Sequence, residues 1–205
     1  MILSLYDPDT LDRALAMLRA GEPIAFPTDT VYGVGAAALD AAAVLRLYAV
    51  KRRPLAQAIA LLIADEADLD LVAATVPPAA RRLARLWPGA LTLVVPAAPR
   101  LPPELLAGGA SVAVRLPDHD WLRALIRELG APLAATSANR HGERDPQTAA
   151  DVAAQLGGVL PLIVDGGPTP GPVPSTIVDC MGDAPRLLRA GALAWERVVA
   201  ALRDV

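Results

Sequence analysis

The sequence predicts an α/β protein with a sizeable sheet of mixed strand direction. Short apolar runs of strand length alternate through most of the chain with segments whose leucines recur at helical spacing. Around residues 91–116 and 160–190, strand-like runs follow one another with no helical segment between them, which favours a partly antiparallel sheet over a doubly wound one. Hydrophobic residues make up 54% of the 205 positions and aromatics only 3%, so a substantial core is available and is built from Ala, Leu and Val.

In chain order, Leu11, Leu15 and Leu18 mark a first helix behind the cap region Asp7-Pro8-Asp9, and Gly21 stops it. Pro23 to Phe26 reads as a buried strand that feeds the stretch Phe26-Pro27-Thr28-Asp29-Thr30-Val31-Tyr32-Gly33-Val34-Gly35, expected to be a ligand loop. Asp40 to Val50 is a helix ending at Lys51-Arg52-Arg53-Pro54. A strand at Ile59 to Ile63 precedes helices near Asp65 to Ala73 and at Pro77 to Trp87, the latter broken by Pro88-Gly89. Leu91 to Val95 and Ser111 to Leu116 are strands, and Leu122, Leu125, Ile126 and Leu129 mark a helix. Pro132 to Thr136 is a strand entering Ser137-Ala138-Asn139. Thr148-Ala149-Ala150-Asp151 reads as a capping box with Asp in place of Glu. Leu160 to Val164 and Thr176 to Asp179 are strands, separated by a Pro/Gly-rich loop at residues 165–174. Trp195, Val198, Val199 and Leu202 form a closing amphipathic helix.

Composition narrows the function classes. A net charge of −3 supplies no global basic field for nucleic acid. The single cysteine, Cys180, has no intramolecular partner, which points to a reducing compartment and a packing role. Asp7 comes too early for a signal peptide, and the apolar run Ala58 to Ala64 is far short of a membrane span, so a cytoplasmic location is expected. His119 and His141 lack zinc or triad spacing and are expected at the surface. Walker A, Rossmann, G-x-S-x-G and paired-cysteine zinc motifs are absent, and no side chain is assigned as a metal ligand.

Several polar clusters border apolar strands. The opening stretch brings the hydroxyls of Thr28, Thr30 and Tyr32, the carboxylate of Asp29, and Gly33 and Gly35, which let the backbone approach a ligand. Lys51, Arg52 and Arg53 follow a helix; they either complement its dipole in solvent or grip a phosphate. An extended chain there would turn Lys51 and Arg53 the same way. Thr136, Ser137 and Asn139 at a strand end suit either a ligand site or a turn. Ser175 and Thr176 suit either an anion site or loop capping. Arg115 within Val112 to Leu116 faces solvent or a buried anion, and Arg189 again stands at a strand end. Gathered in one concavity, these groups would catalyse by positioning and electrostatics, since no nucleophile–base pair accompanies them.

The ordered set of motifs resembles the YrdC/Sua5/TsaC family of threonylcarbamoyl-AMP synthases. It comprises Pro27 to Gly33, Lys51-x-Arg53-Pro54, Pro88-Gly89-Ala90-Leu91-Thr92, the Arg115 strand, Ser137-x-Asn139, Ser175 to Asp179, and Arg189-x-Gly191, across about residues 10–200. The resemblance implies a single YrdC-like domain over residues 1–205, with a twisted mixed sheet flanked by helices and a large concave ligand cavity. It implies that L-threonine, bicarbonate and ATP, with Mg2+, become threonylcarbamoyl-AMP and pyrophosphate. The product would pass to the threonylcarbamoyl-transfer machinery of tRNA modification, with a weak tRNA contact and no membrane. By the same resemblance Lys51 and Arg53 are catalytic and hold ATP together with Thr92, Ser137, Asn139 and Arg189. Thr30, Tyr32, Arg115, Thr136 and Ser175 line a threonine pocket.

The sequence departs from the family in places. Leu55 to Ala60 lacks the asparagine-proline-leucine run and its histidine, and His141-Gly142 stands where Ser-Gly is common. The chain is expected to be the short form, without the extra carboxyl-terminal domain of longer Sua5 members. Two other readings stand beside this one. One is an RNA-binding or ribosome-maturation module using the same basic cavity. The other is a paralogue with another acceptor, of the kind found in carbamoyl-transferring hydrogenase maturation proteins.

Overall fold

The computed structural model describes residues 1–203. Its strands are β1 (Ile2–Ser4), β2 (Ile24–Phe26), β3 (Gly33–Ala37), β4 (Ala60–Leu62), β5 (Leu91–Pro96), β6 (Ser111–Arg115), β7 (Leu133–Ser137), β8 (Ile163–Asp165), β9 (Thr176–Asp179) and β10 (Arg186–Arg189). They form one ten-stranded sheet in the order β1-β8-β2-β3-β7-β4-β6-β5-β9-β10. Four neighbouring pairs are parallel: β1 with β8, β2 with β8, β4 with β6, and β5 with β9. The others are antiparallel, so the sheet is mixed, as the sequence predicts.

The helices are α1 (Thr10–Arg19), α2 (Ala41–Lys51), α3 (Leu69–Val72), α4 (Pro78–Ala84), α5 (Pro103–Leu106), α6 (Asp120–Leu129), α7 (Ala149–Leu156) and α8 (Trp195–Arg203). Asp40 caps α2 through Oδ1, which accepts from the amides of Ala42 and Ala43. The Thr148–Asp151 capping box opens α7 as the sequence predicts.

Strand alternation sorts the core into two clusters on opposite faces of the sheet. Ile24 and Phe26 of β2, Leu62 of β4 and Leu133 and Ala135 of β7 pack with Ala14, Leu15 and Leu18 of α1 and Leu122, Leu125 and Ile126 of α6. Their sequence neighbours Ala25, Leu61 and Ala134 point the other way, onto α2, α3, α4, α7 and α8. The first face is covered by only two helices. Over β6, β5 and β9 that face is instead occupied by Ala113, Arg115, Thr92 and Ile177, all of which border a cavity. The unequal coverage of one sheet face is what creates the site.

Several sequence expectations need correction. The opening stretch is not loop throughout: Gly33 to Ala37 is β3, paired with β2 and β7. Its glycines also serve packing, since a Cβ at Gly33, which borders that cavity, would come within 2.8 Å of the Phe26 ring and one at Gly35 within 2.8 Å of the Ala134 carbonyl oxygen. The chain at 51–53 is not extended. Lys51 ends α2 and Arg52 caps it with φ 52°, a left-handed conformation that stops the helix before Pro54. The helix expected at 65–73 divides into a 3-10 turn (Glu66–Asp68) and α3, and the one expected at 77–87 closes at Ala84. The one-turn α5 lies between β5 and β6, and the strand expected at 160–164 is β8, shifted towards its end. Edge strand β1 and strand β10 complete the sheet. His119 is half-buried, with Nδ1 accepting from the Leu122 amide at the start of α6.

Candidate active site

The cavity over the uncovered half-face has a volume of about 350 Å³. Its floor is a row of laterally paired residues: Leu62 beside Arg115, Arg115 beside Thr92, and Thr92 beside Ile177. Thr30, Arg53, Thr92, Arg115, Thr136, Ser137, Ser175 and Arg189 all border it. The structure thus brings together most of the residues singled out from sequence, although they come from distant segments.

Arg115 is the hub. It is 7% exposed, and its guanidinium donates from Nε to the Gly89 carbonyl at 2.9 Å, from Nη1 to Thr30 Oγ1 at 2.9 Å and from Nη2 to Asp29 Oδ1 at 2.6 Å. Burial pulls its pKa down, and the adjoining Asp29 carboxylate opposes that. The buried cation of β6 therefore has its own counter-ion from the stretch after β2. Thr30 is fixed from both sides: its hydroxyl lies 3.1 Å from Thr28 Oγ1, which donates onward to the Val31 carbonyl at 2.7 Å.

On the far wall, Arg189 clamps the entry to β9. Its Nε and Nη2 donate to the Ser175 carbonyl at 3.0 and 2.8 Å, and Ser175 Oγ lies 2.7 Å from Thr92 Oγ1. Burial lowers the Arg189 pKa. Arg53 gives Nε to the Gln57 carbonyl and Nη2 to the Ala58 carbonyl, which anchors its fork at the rim.

Lys51, Tyr32 and Asn139 are not part of the cavity lining. Lys51 is 2% exposed. Its Nζ rises past the carboxyl end of β7 and donates to the Ser137 carbonyl and, at 2.9 Å, to Asn139 Oδ1. Burial, with help from nearby Arg53, lowers its pKa to about 8. Asn139 is oriented by its amide, which donates to the Glu143 carbonyl at 2.5 Å, and by the Ser137 hydroxyl, which donates to Oδ1 at 2.6 Å. Lys51 and Asn139 thus form a second layer directly behind Ser137.

Tyr32 is fully buried and turns to the loop after β8. Its hydroxyl donates to the Gly167 carbonyl at 2.7 Å and accepts from the Gly166 amide at 3.2 Å, and burial pushes its pKa up to about 12. Thr136 borders the cavity although strand alternation turns its side chain to the opposite face of β7 from Ala135 and Ser137.

Sequence reasoning assigned no role to Asp29 or Asp145. The Asp29 signal was available, a carboxylate between two threonines, but its partner lies in β6. Asp145 follows the Ser-x-Asn motif and borders the cavity. Among the described residues no cluster of three His, Cys, Asp or Glu side chains could hold a metal, and no helix is long and apolar enough to cross a membrane.

Comparison with known proteins places the sequence and fold among known relatives. A family model for Sua5, YciO and YrdC, described as "Telomere recombination", covers residues 16–191. A Bacillus subtilis protein named threonylcarbamoyl-AMP synthase is 45% identical over 99% of the chain, and the chain spans 59% of that protein. A Thiobacillus denitrificans protein of the same name is 42% identical over 80% of the chain and 87% of its own length. The structure of Pyrococcus abyssi Sua5 in complex with L-threonine superposes with a TM-score of 0.95 at 37% identity, covering 100% of this chain and 62% of that one. The chain belongs to the Sua5/YciO/YrdC family.

Proposed function

We propose that the chain is a threonylcarbamoyl-AMP synthase, a nucleotidyl-transferring enzyme acting on L-threonine, bicarbonate and ATP. The observation that carries this reading is one cavity bordered by Arg53 and Ser137 towards one end of its floor and by Ser175 and Arg189 at the other, with Thr30, Arg115 and Thr92 between them. The Arg53 and Arg189 guanidinium groups and the Ser137 hydroxyl suit a polyphosphate. Thr30, Arg115 and Ser175 offer polar groups to a small amino acid. The L-threonine held by the P. abyssi relative supports threonine as that amino acid.

In this reading the threonine amine attacks the carbon of bicarbonate, and loss of water leaves a carbamate. A carbamate oxygen then attacks the α-phosphorus of ATP. The bond to the β-phosphate oxygen breaks, and pyrophosphate leaves with that electron pair. The protein's task is to hold two anions together and to neutralise phosphate charge. Arg53 and Arg189 contact phosphate directly. Lys51 acts from behind Ser137, held by Asn139, and adds positive charge without facing the cavity. Arg115, with Asp29 and Thr30, shapes the threonine side, while Tyr32 steadies the loop beside it. The ATP enters as its Mg2+ complex. The product serves N6-threonylcarbamoyladenosine formation in tRNA, handed in the cytoplasm to the transfer machinery with at most a weak tRNA contact. Residues 1–205 act as one domain.

The test is pyrophosphate release by the purified chain. Release that requires threonine and bicarbonate together is expected, and an absence of pyrophosphate when both are supplied with MgATP would refute the proposal.

A further inference from the structure

Among the described residues, Asp145 is the one acidic residue lining the cavity. It is half-buried and follows a segment pinned to the body of the protein. The Glu143 carbonyl accepts from Asn139, the Arg144 carbonyl accepts from Gln155 at 3.1 Å, and the Pro146 carbonyl accepts from the Tyr32 amide at 3.0 Å. The backbone that carries Asp145 is therefore held at the cavity wall.

Its negative charge acts on both Lys51 and Arg189. Among the described residues, however, it closes no ion pair within 4.0 Å with either. A carboxylate left unpaired against a triphosphate site is repulsive to the bare anion. The repulsion reverses if a divalent cation lies between the two. Mg2+ is commonly held by one or two carboxylates together with substrate phosphates and retained waters, so a preformed cage of protein ligands is not required. One carboxylate on the wall, with no three-residue metal cluster among the described residues, fits a cation that arrives with the nucleotide.

We propose that Asp145 is the protein's ligand for the Mg2+ carried by ATP, binding it directly or through a metal-bound water. The proposal rests on the ATP reading given above. It assigns Asp145 a role opposite in sign to that of Arg53 and Arg189: they bind phosphate, and it binds the metal that phosphate brings.

The test uses the full chain and α,β-methylene-ATP, which resists cleavage at the reacting bond, titrated calorimetrically with Mg2+ or with excess EDTA. The wild-type chain is expected to bind the Mg2+ complex more tightly than the free nucleotide. Asp145→Asn should bind the Mg2+ complex about tenfold more weakly while binding the metal-free nucleotide at least as well, so that the advantage given by Mg2+ collapses. Electron paramagnetic resonance with Mn2+ gives a second readout. Bound Mn2+ should appear only when nucleotide is present, and its occupancy should fall in the variant. Asp145→Ala serves as a second substitution if the first folds poorly.

If Asp145→Asn strengthens both complexes by the same factor, or alters neither, the metal role is overturned and the ATP reading stands. If the wild-type chain binds the nucleotide in neither form, both are overturned.

Discussion

Lys51 is a charged group kept inside the protein at a cost to stability, and that cost can be measured. Its pKa falls from 10.5 to about 8 because burial penalises the ammonium, with Arg53 adding to the effect. At ~1.4 kcal/mol per tenfold change in proton affinity, the fall corresponds to about 3 kcal/mol. The sign follows from proton counting. Between about pH 8 and 10.5 the unfolded chain holds a proton on Lys51 that the folded chain has released, so folding stability attributable to this group rises across that interval. Below pH 8 the ammonium is present in both states and the full penalty applies. Lys51→Met removes the titration. It also removes hydrogen bonds to the Ser137 carbonyl and Asn139 Oδ1, an offsetting loss of about 1–3 kcal/mol at every pH.

Urea midpoints of both proteins from pH 7 to 10.5 isolate the group, because the other titrations cancel in the difference. The stability of wild type relative to Lys51→Met should climb by about 3 kcal/mol between those limits. Parallel curves would refute the buried-ammonium reasoning. At pH 7 the variant should meanwhile lose pyrophosphate release by orders of magnitude, because the charge behind Ser137 is gone.

Other perturbations test the walls of the site. Arg115→Ala strands Asp29 beside the cavity and should cost about 3–5 kcal/mol in denaturant unfolding; a loss below about 1 kcal/mol would mean the pair is not the hub described. Gly191→Ala places a Cβ against the backbone of Pro174, Ser175 and Thr176. It should destabilise the protein by about 1–3 kcal/mol and displace Ser175, seen as a weakened threonine affinity. Tyr32→Phe removes the latch to Gly166 and Gly167. It should lower stability by about 1–3 kcal/mol while changing threonine affinity less than Thr30→Ala does; a larger threonine effect in Tyr32→Phe would restore the hydroxyl as a direct ligand.

Much of the fold is legible locally. Val112 and Val114 alternate with Ala113 and Arg115, and the α6 leucines recur on one face, so β6 and α6 declare themselves. Asp40 and Thr148 announce their helices because a cap is a local hydrogen-bond pattern. By contrast, β3 is written in glycine, alanine and one valine, a composition with weak strand preference. It becomes a strand because β2 and β7 flank it and Phe26 and the Ala134 carbonyl press on its glycines. Strand β1 is three residues long and exists through its parallel pairing with β8, some 160 residues away.

The same division runs through the site. Residue identities and motif order determined which groups are available: the threonine stretch, the Lys-x-Arg-Pro step, Ser-x-Asn, and the arginines of β6 and β10. Their directions were decided by tertiary structure. Lys51 and Arg53 part company because Arg52 takes a left-handed turn at the end of α2, sending one ammonium behind β7 and one guanidinium to the rim. Asp29 finds Arg115, and Ser175 finds Thr92, only when distant strands become neighbours. The cavity itself belongs to no segment, because it is the part of one sheet face that α1 and α6 leave uncovered. Sequence fixes a residue's chemistry and its local torsions, whereas partners across a sheet are set by long-range pairing, in which every neighbour takes part.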